Sequence, residues 1–298
     1  MKTMKNMFGV RSLGAVMVAG LVFLASCEDK VEFNSSDTAS VENEATMDGA
    51  FEDTDDMALT AVASDNSTLS GEDGGRKIPN ALLDHRFKCA DVTITLALDN
   101  SFQVPHGTIV IDFGTGCTDN KGNTRKGKVI VEYKGRRFLP GSTVITTTEG
   151  YSINDITLEG TRTVTNVSGS TEESPKFNVV LENGKATWPD GTTATREVNR
   201  VHEWVRTSNP LNDQWNVTGT ANGTNRNGRV YEMTITSALI YKRECAISAR
   251  VFMAVAGTKE LIVDGKKLTI DYGTGDCDRT VTITVDGASK QMEVSGGI

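Results

Sequence analysis

Alternation of apolar and polar residues is the feature that most constrains how this chain of 298 residues can fold. Runs of about six residues, such as VTITLAL (92–98) and RTVTITV (279–285), alternate in this way and are rich in β-branched side chains. Such runs are typical of strands with one buried face. Pairs such as Asn183-Gly184 and Asp264-Gly265 lie between runs and favour tight turns between antiparallel strands. We therefore predict an all-β domain over 77–298, an antiparallel, hairpin-rich sandwich or barrel.

One motif of this domain occurs twice, as IDFGTGCTD (111–119) and IDYGTGDCD (270–278). A cysteine precedes each copy, and strand, glycine turn and strand patterns follow each copy in the same order. The repetition predicts related units at about 84–145 and 241–298. Cys245 shares its strand parity with apolar residues, whereas Cys89 shares it with threonines; a β-bulge in one copy would restore the register.

The N-terminal 26 residues have the pattern of an export signal. Lys2, Lys5 and Arg11 precede an apolar run at 13–25 that is too short to span a bilayer. The run ends in LASC (24–27), which resembles the lipobox of bacterial lipoproteins. This resemblance implies cleavage at residue 26 and attachment of a lipid anchor to Cys27, so that the membrane is one partner. The alternative is an ordinary secretory signal in which Cys27 is incidental.

Residues 27–76 are predicted to form a lipidated acidic linker that is mostly disordered. Residues 28–76 carry 14 Asp and Glu against Lys30 and Arg76, a net charge of −12, whereas 77–298 carries +1. A segment so acidic and poor in aromatic residues buries too little apolar surface to offset its loss of conformational entropy. A short helix over 50–63 is predicted there, because several apolar residues fall near one helical face.

Two short motifs in this segment point to a bacterial group. EDKVE (28–32), next to Cys27, resembles the surface-export signals of Bacteroidetes lipoproteins, and Asp37-Thr38-Ala39 resembles the O-glycosylation motif of that phylum, with Thr38 as the acceptor. The whole chain resembles uncharacterised Bacteroidetes lipoproteins. The resemblance implies an outer-membrane lipoprotein at the cell surface, with a periplasm-facing orientation as the alternative, and it implies no molecular function.

Cysteines other than Cys27 are even in number, as a disulfide framework in an oxidising compartment requires. They allow three pairings. If each repeated unit closes on itself, the pairs are Cys89–Cys117 and Cys245–Cys277. Metal binding by the thiols is the rival interpretation, but the sequence has no C-x-x-C spacing.

Catalytic motifs are present only as fragments. Asp112-Phe113-Gly114 spells the metal-binding triplet of protein kinases, but no glycine-rich loop or catalytic loop accompanies it. His202-Glu203 begins like the helix of zinc proteases, but Arg206 stands where the second histidine belongs. No serine lies in a G-x-S-x-G elbow. We therefore predict that the protein is not an enzyme.

The aspartates of the repeated motif have two interpretations. Asp271, Asp276 and Asp278, with Asp112 and Asp119 in the other copy, could supply oxygen ligands to calcium. More commonly, aspartates that follow a strand accept hydrogen bonds from backbone N–H groups of the turn. No cofactor is therefore predicted, with calcium as the one possible exception.

A polar surface is predicted on the segment REVNRVHEWVR (196–206). If it is a strand, Arg196, Arg200, His202, Trp204 and Arg206 share one face. An indole beside guanidinium groups could stack on a sugar or hold an anionic glycan. Alternatively, the arginine stems cover Trp204 on a solvated face. A further alternative is that this patch, or the basic run at 121–137, receives the acidic linker of the same molecule.

Two classes of function are consistent with these patterns. The first is a non-catalytic β-rich domain of the cell envelope that binds an extracellular glycan or a surface protein. The second is a purely structural envelope protein with no small ligand. Nucleic acid is not among the expected partners.

Overall fold

The computed structural model describes residues 33–65, 76–77, 85–101, 103–169 and 174–294. The predicted signal peptide, residues 1–26, and Cys27 lie outside the described residues, so cleavage and lipidation stay predictions. No helix in these ranges is long and apolar enough to cross a membrane.

In chain order the elements are α1 (Ser35–Asp65), β1 (Arg76–Lys77), β2 (Asp91–Leu96), β3 (His106–Asp112), β4 (Cys117–Thr118), β5 (Thr124–Lys134), β6 (Thr143–Ile153), β7 (Ile156–Asn166), β8 (Lys176–Thr187), β9 (Thr193–Val205), β10 (Gln214–Thr224), β11 (Val230–Lys242), α2 (Arg243–Ser248), β12 (Ala256–Val263), β13 (Lys266–Thr274), β14 (Thr280–Val285) and β15 (Ala288–Glu293). Single turns of 3-10 helix lie at His85–Phe87 and Pro210–Asn212.

The strands form one antiparallel sheet in which each strand pairs with its neighbours in the sequence, except that the short β4 pairs with β5 beside the main path. Within the described residues, β1 and β15 are the two edges of this path, so the sheet is not closed. The predicted antiparallel β fold is confirmed. The sequence left open whether the fold is a sandwich or a barrel. The structure has a single continuous sheet.

Two of the predicted turn pairs behave differently in the sheet. Asp264-Gly265 joins β12 to β13, and both residues have positive φ (50° and 82°), as a tight hairpin turn requires. Asn183-Gly184, in contrast, lies inside β8, where the register with β9 shifts between Leu181 and Gly184. A Cβ atom on Gly184 would lie 2.5 Å from the carbonyl oxygen of Arg196. The prediction of a hairpin turn at Asn183-Gly184 is therefore wrong: glycine is needed there for a close approach within a bulge.

Residues 35–65, predicted to be part of a disordered linker, form the long helix α1 instead. The predicted short helix at 50–63 lies within it. Asn34 and Asp37 begin the helix by capping each other: the Asp37 N–H donates to Asn34 Oδ1 (3.0 Å), and the Asn34 N–H donates to Asp37 Oδ2 (3.1 Å).

The core lies between α1 and one face of the sheet. Met47, Phe51 and Met57 of α1 are buried in the same cluster as Ile109 of β3 and Val131 of β5. Other side chains of α1 reach from the segment before β2 to β13. The nineteen residue steps from 37 to 56 rise by about 29 Å along a helix, whereas the ten strand spacings from β2 to β13 would measure about 48 Å in a flat sheet. The sheet therefore curves around the helix.

Both predicted disulfides are confirmed, Cys89–Cys117 and Cys245–Cys277. In the first copy the bridge joins the segment before β2 and β3 to β4, which follows them. In the second copy it joins α2, which precedes β12 and β13, to the turn that follows them. Cys245 lies in α2 and not at the start of a strand. A register shift of the kind expected does occur in the second copy, in β12 between Ala256 and Thr258, whereas the β2–β3 pairing of the first copy has none. The parity difference between the copies arises because one cysteine is carried by a helical turn.

Candidate functional site

Buried cations line the face of the sheet that contacts α1. Arg196 and Arg200 of β9 alternate with the buried Val198, and Lys259 of β12 precedes the buried Leu261 by two residues. Each of these charged side chains is 1% exposed. Because alternate residues of a strand share a face, these cations occupy positions that would ordinarily hold apolar side chains.

Carboxylates on one face of α1 pair with these cations. Glu44, Asp48 and Glu52 recur every four residues and so lie along one side of the helix. Arg196 donates to Glu44 Oε2 at 2.5 Å and also pairs with Asp48. Lys259 Nζ lies 3.2 Å from Glu44 and 3.1 Å from Asp48. The acidic residues of the helix therefore form a buried ion-pair network with the sheet.

The network extends along α1 from Asp37 to Asp56. The remaining pairs, with their N–O distances, are Lys266–Asp37 (2.7 Å), Arg200–Asp48 (2.9 Å), Arg200–Glu52 (3.5 Å), Arg162–Glu52 (3.1 Å), Arg162–Asp55 (3.1 Å), Arg125–Asp53 (2.8 Å), Arg125–Asp119 (2.7 Å), Arg86–Asp53 (3.2 Å) and Arg86–Asp56 (2.6 Å). The acidic charge that was the reason for predicting disorder is thus neutralised by cations of the folded domain.

Electrostatics keep the central carboxylates ionised. Burial by itself raises the pKa of Glu44, but the charges of Arg196 and Lys259 more than offset burial and hold that pKa below its ordinary value. Burial likewise raises the pKa of Asp48, and the charges of Arg196 and Arg200 lower it by more. Both carboxylates therefore stay charged at neutral pH.

The patch predicted on β9 is divided by this helix. Arg196 and Arg200 do share a face, but α1 covers both, so their predicted role in ligand binding is wrong. The alternative that the patch receives the acidic segment of the same molecule is confirmed for these two arginines. His202 is half-buried, with Nε2 4.0 Å from Glu52 Oε1. Burial lowers the pKa of His202 to about 4, so its ring is neutral at pH 7.

Beyond the helix, the patch continues into a group of aromatic and arginine side chains that we call the aromatic–arginine cluster. Its members are Arg137, Phe138, Phe177, Trp204, Arg206 and Trp215. They lie at the end of the sheet where β5, β7 and β9 finish and where β8 and β10 begin.

Stacked rings form the base of this cluster. Trp204 and Trp215 are opposite each other in the β9–β10 register, and their ring centroids are 5.3 Å apart with an interplanar angle of 22°. Phe138, from the connection between β5 and β6, lies 5.7 Å from Trp204. Phe177 of β8 lies 6.1 Å from Trp215. Distances of this size are those of favourable aromatic pairs.

Two guanidinium groups lie over these rings. The Arg206 guanidinium is 4.5 Å from the centroid of Phe138 and 4.6 Å from that of Trp204. The Arg137 guanidinium lies 5.4 Å from Phe138 and 5.7 Å from Trp204. Among the described residues, no carboxylate forms an ion pair with Arg137 or Arg206, and the buried Nε atom of each has no hydrogen-bond partner.

Sequence reasoning found part of this cluster. Trp204 and Arg206 were predicted to share a face, and the structure confirms that they do. Phe138, Phe177 and Trp215 were missed, because they come from separate strands and connections whose pairing no local pattern specifies. The β9–β10 register, which places Trp215 opposite Trp204, was the information required.

The repeated aspartates make the same turn in both copies. Asp112 Oδ1 accepts from the N–H of Gly114, and Asp271 Oδ1 accepts from the N–H of Gly273, each at 2.8 Å. Asp278 accepts from the N–H of Thr280 at 2.8 Å. The interpretation as turn residues is confirmed for these three. In the described ranges no three His, Cys, Asp or Glu side chains converge as metal ligands. Calcium binding by Asp271, Asp276 and Asp278 stays a prediction.

Thr38, the predicted glycosylation acceptor, lies in the first turn of α1. Its hydroxyl donates to the carbonyl oxygen of Ser35 at 3.2 Å, and its side chain is half-buried. The preceding Asp37 pairs with Lys266 of β13. Glycosylation of Thr38 stays a prediction.

Of the residues predicted to bind a ligand, Trp204 and Arg206 are those that form no ion pair with α1. Together with Arg137 and Phe138, they make the candidate site. Its chemistry is that of aromatic surface and positive charge side by side. Comparison of the chain with protein-family models, with curated proteins and with solved structures finds no match.

Proposed function

We propose that this protein is a cell-envelope lipoprotein whose β domain binds an extracellular glycan, without catalysis, at the aromatic–arginine cluster. The observation that carries this proposal is a pair of guanidinium groups on an aromatic base, with no carboxylate partner among the described residues. Aromatic rings pack against the apolar faces of sugars, and a guanidinium donates paired hydrogen bonds to acidic groups. Phe138 is 40% exposed and so is accessible to a ligand.

The location in the proposal is that of an outer-membrane lipoprotein at the cell surface. Residues 28–34 separate Cys27 from the start of α1. Seven residues span at most about 25 Å when fully extended. A lipid on Cys27 would therefore hold the folded domain close to the membrane surface, where it would meet glycans of the envelope or of neighbouring cells.

Intrinsic tryptophan fluorescence is expected to change when the protein binds a member of a polysaccharide panel, and Trp204→Ala is expected to abolish the change. The rings of Trp204 and Trp215 are stacked, so a ligand on one alters the environment of both. The matched control is Trp188→Phe, because Trp188 is buried and lies outside the cluster. That variant should retain the response.

No response to any polysaccharide would contradict glycan binding. It would favour the alternatives, which are an extracellular protein partner or a purely structural role in the envelope. A response that persists in Trp204→Ala would place the glycan elsewhere on the sheet.

Lipidation is tested separately from ligand binding. In a lipoprotein-competent bacterium the chain is expected to incorporate labelled palmitate. Cys27→Ser should abolish incorporation, since Cys27 is the cysteine that directly follows the export signal. Cys89→Ser is the control and should keep the label, because Cys89 belongs to a disulfide of the folded domain. Equal labelling of Cys27→Ser and the native chain would refute the anchor.

A further inference from the structure

Charge distinguishes the aromatic–arginine cluster from every other basic site that faces α1. Arg125, Arg162, Arg196, Arg200 and Lys259 each lie within ion-pair distance of at least one carboxylate. Arg137 and Arg206 have no such partner among the described residues. The fold therefore pairs the buried cations along α1 with carboxylates and leaves Arg137 and Arg206 without an ion pair among the described residues at this end of the sheet.

Arg137 and Arg206 are also close enough to repel each other, since both lie over Phe138 and Trp204. Burial lowers the pKa of Arg137, nearby Asp56 and Asp55 offset part of that effect, and the charge of Arg206 lowers the pKa further. Like charges held at one place in a partly desolvated setting are unfavourable unless an anion joins them.

The cluster is held in place before any ligand arrives. The main-chain carbonyl of Arg137 accepts hydrogen bonds from Ser142 Oγ (3.1 Å) and Asn166 Nδ2 (2.8 Å), which fixes the connection between β5 and β6. Asp213, just before β10, accepts from Trp204 Nε1 (3.2 Å) and from the N–H of Thr207 (2.8 Å). That carboxylate positions the indole and the backbone instead of neutralising an arginine. Groups fixed in this way lose little entropy when a ligand binds.

Ring contacts further indicate which part of a ligand the cluster recognises. The Trp204 ring is already stacked with Trp215 and lies 4.6 Å from the Arg206 guanidinium. Little of the indole remains for stacking on a neutral sugar. The unused binding capacity of the cluster is therefore mainly the N–H donors and positive charge of its two arginines.

We infer that the ligand of this site is an acidic glycan, whose carboxylate or sulfate group is bound by Arg137 and Arg206 while its ring contacts the exposed Phe138. This inference rests on the proposed function and names the substrate class for it. A planar carboxylate and a tetrahedral sulfate both match guanidinium donors, so the chemistry common to them is an oxyanion on a sugar ring. The binding strength depends on charge and therefore falls as salt screens it.

Titration of the full-length mature chain in detergent tests the inference with three polymers: polygalacturonate, dextran sulfate and neutral dextran. An acidic polymer is expected to bind, neutral dextran is expected not to bind, and affinity should fall at least tenfold between low and high salt. Arg137→Gln and Arg206→Gln should each lower affinity by tenfold or more. Binding of polygalacturonate alone would identify a carboxylate as the group that the site recognises, and binding of dextran sulfate alone would identify a sulfate.

Controls separate this site from general attraction between a cation and a polyanion. Arg226→Gln removes an exposed arginine that lies over Trp188 and pairs with Asp190, outside the cluster. It should leave affinity unchanged. Arg206→Lys keeps the charge but loses the paired donors, and it is expected to bind more weakly than the native chain and more strongly than Arg206→Gln. Thermal unfolding of each variant shows whether it is folded; if Arg206→Gln is not, Arg137→Gln and Arg206→Lys still decide the matter.

The outcomes also separate this inference from the proposed function. Binding of neutral dextran, unaffected by Arg137→Gln and Arg206→Gln but lost in Trp204→Ala, would keep glycan binding and overturn the acidic ligand. Equal weakening by Arg226→Gln would show nonspecific attraction and overturn the site. Failure of every polymer to bind would overturn both.

Discussion

Arg196→Met is expected to lower the free energy of unfolding by about 3–5 kcal/mol, because it removes one side of a buried ion-pair network and leaves the other side charged. The Arg196 guanidinium is 1% exposed and pairs with Glu44 and Asp48 of α1. Methionine fills part of the space but donates no hydrogen bond. Lys259 would remain paired with both carboxylates, and Arg200 would remain paired with Asp48.

Denaturant unfolding of the native chain and the variant measures this effect through the transition midpoint. The matched control is Arg226→Met, which also removes one arginine that pairs with an aspartate. Its side chain is 39% exposed, so a loss below about 1 kcal/mol is expected. A similar loss in both variants would show that burial of the Glu44–Arg196 pair does not distinguish it from a surface pair.

A second comparison tests the cause of the loss. The double variant Arg196→Met, Glu44→Met removes a charge from each side, and it is expected to be more stable than the sum of the two single losses predicts. The reason is that replacing both partners leaves fewer uncompensated charges than removing either one. Additive losses would indicate that Arg196 stabilises by packing alone.

The β fold was predictable because its determinants are local. Alternation marks each strand over a few residues, and Asp264-Gly265 specifies its turn by backbone conformation alone. The disulfides were predictable for another reason: if each repeated unit closes on itself, only one of the three possible pairings remains. The turn at Asn183-Gly184 was wrongly predicted because the same dipeptide suits a bulge inside a strand as well as a turn.

Most of helix α1, apart from the predicted segment 50–63, was missed because the groups that order it are far away in the sequence. Glu44 meets Arg196 across 152 residues and Lys259 across 215. An argument from composition treats such carboxylates as solvated, which holds only if no cation is buried beside them. The sequence did contain a sign of this. Arg196 and Arg200 lie on the same face of their strand as the apolar Val198, and cations at such positions are rarely buried without a partner.

The aromatic–arginine cluster shows the same limit. One strand predicts that Trp204 and Arg206 share a face, because alternation is a local property. The contribution of Phe138 depends on the path of the connection between β5 and β6, and that of Trp215 depends on the β9–β10 register. Neither follows from the residues around it.

A chain that begins at Asn66 is expected not to fold, whereas a chain that begins at Phe33 folds. Removal of α1 exposes the apolar surface that Val41, Met47, Phe51 and Met57 cover in the core. These side chains contribute about 1.5–3 kcal/mol each when buried, on the order of 10 kcal/mol together, which is comparable to the whole stability of a typical domain. The removal also leaves the buried cations of the sheet without their carboxylates. Near-UV circular dichroism and the cooperativity of thermal unfolding measure the outcome.

Addition of a separate peptide of residues 33–65 tests why the shortened chain fails to fold. If α1 acts as a structural element of the core, the peptide is expected to restore cooperative unfolding to the chain that begins at Asn66. A control peptide with Glu44→Gln and Asp48→Gln has the same length and apolar residues but should restore it poorly, because Arg196 and Lys259 would lose both of their charged partners and Arg200 would keep only Glu52. Cooperative unfolding of the shortened chain by itself would instead show that residues 35–65 are a dispensable tether, and that the ion pairs of α1 add little to the stability of the sheet.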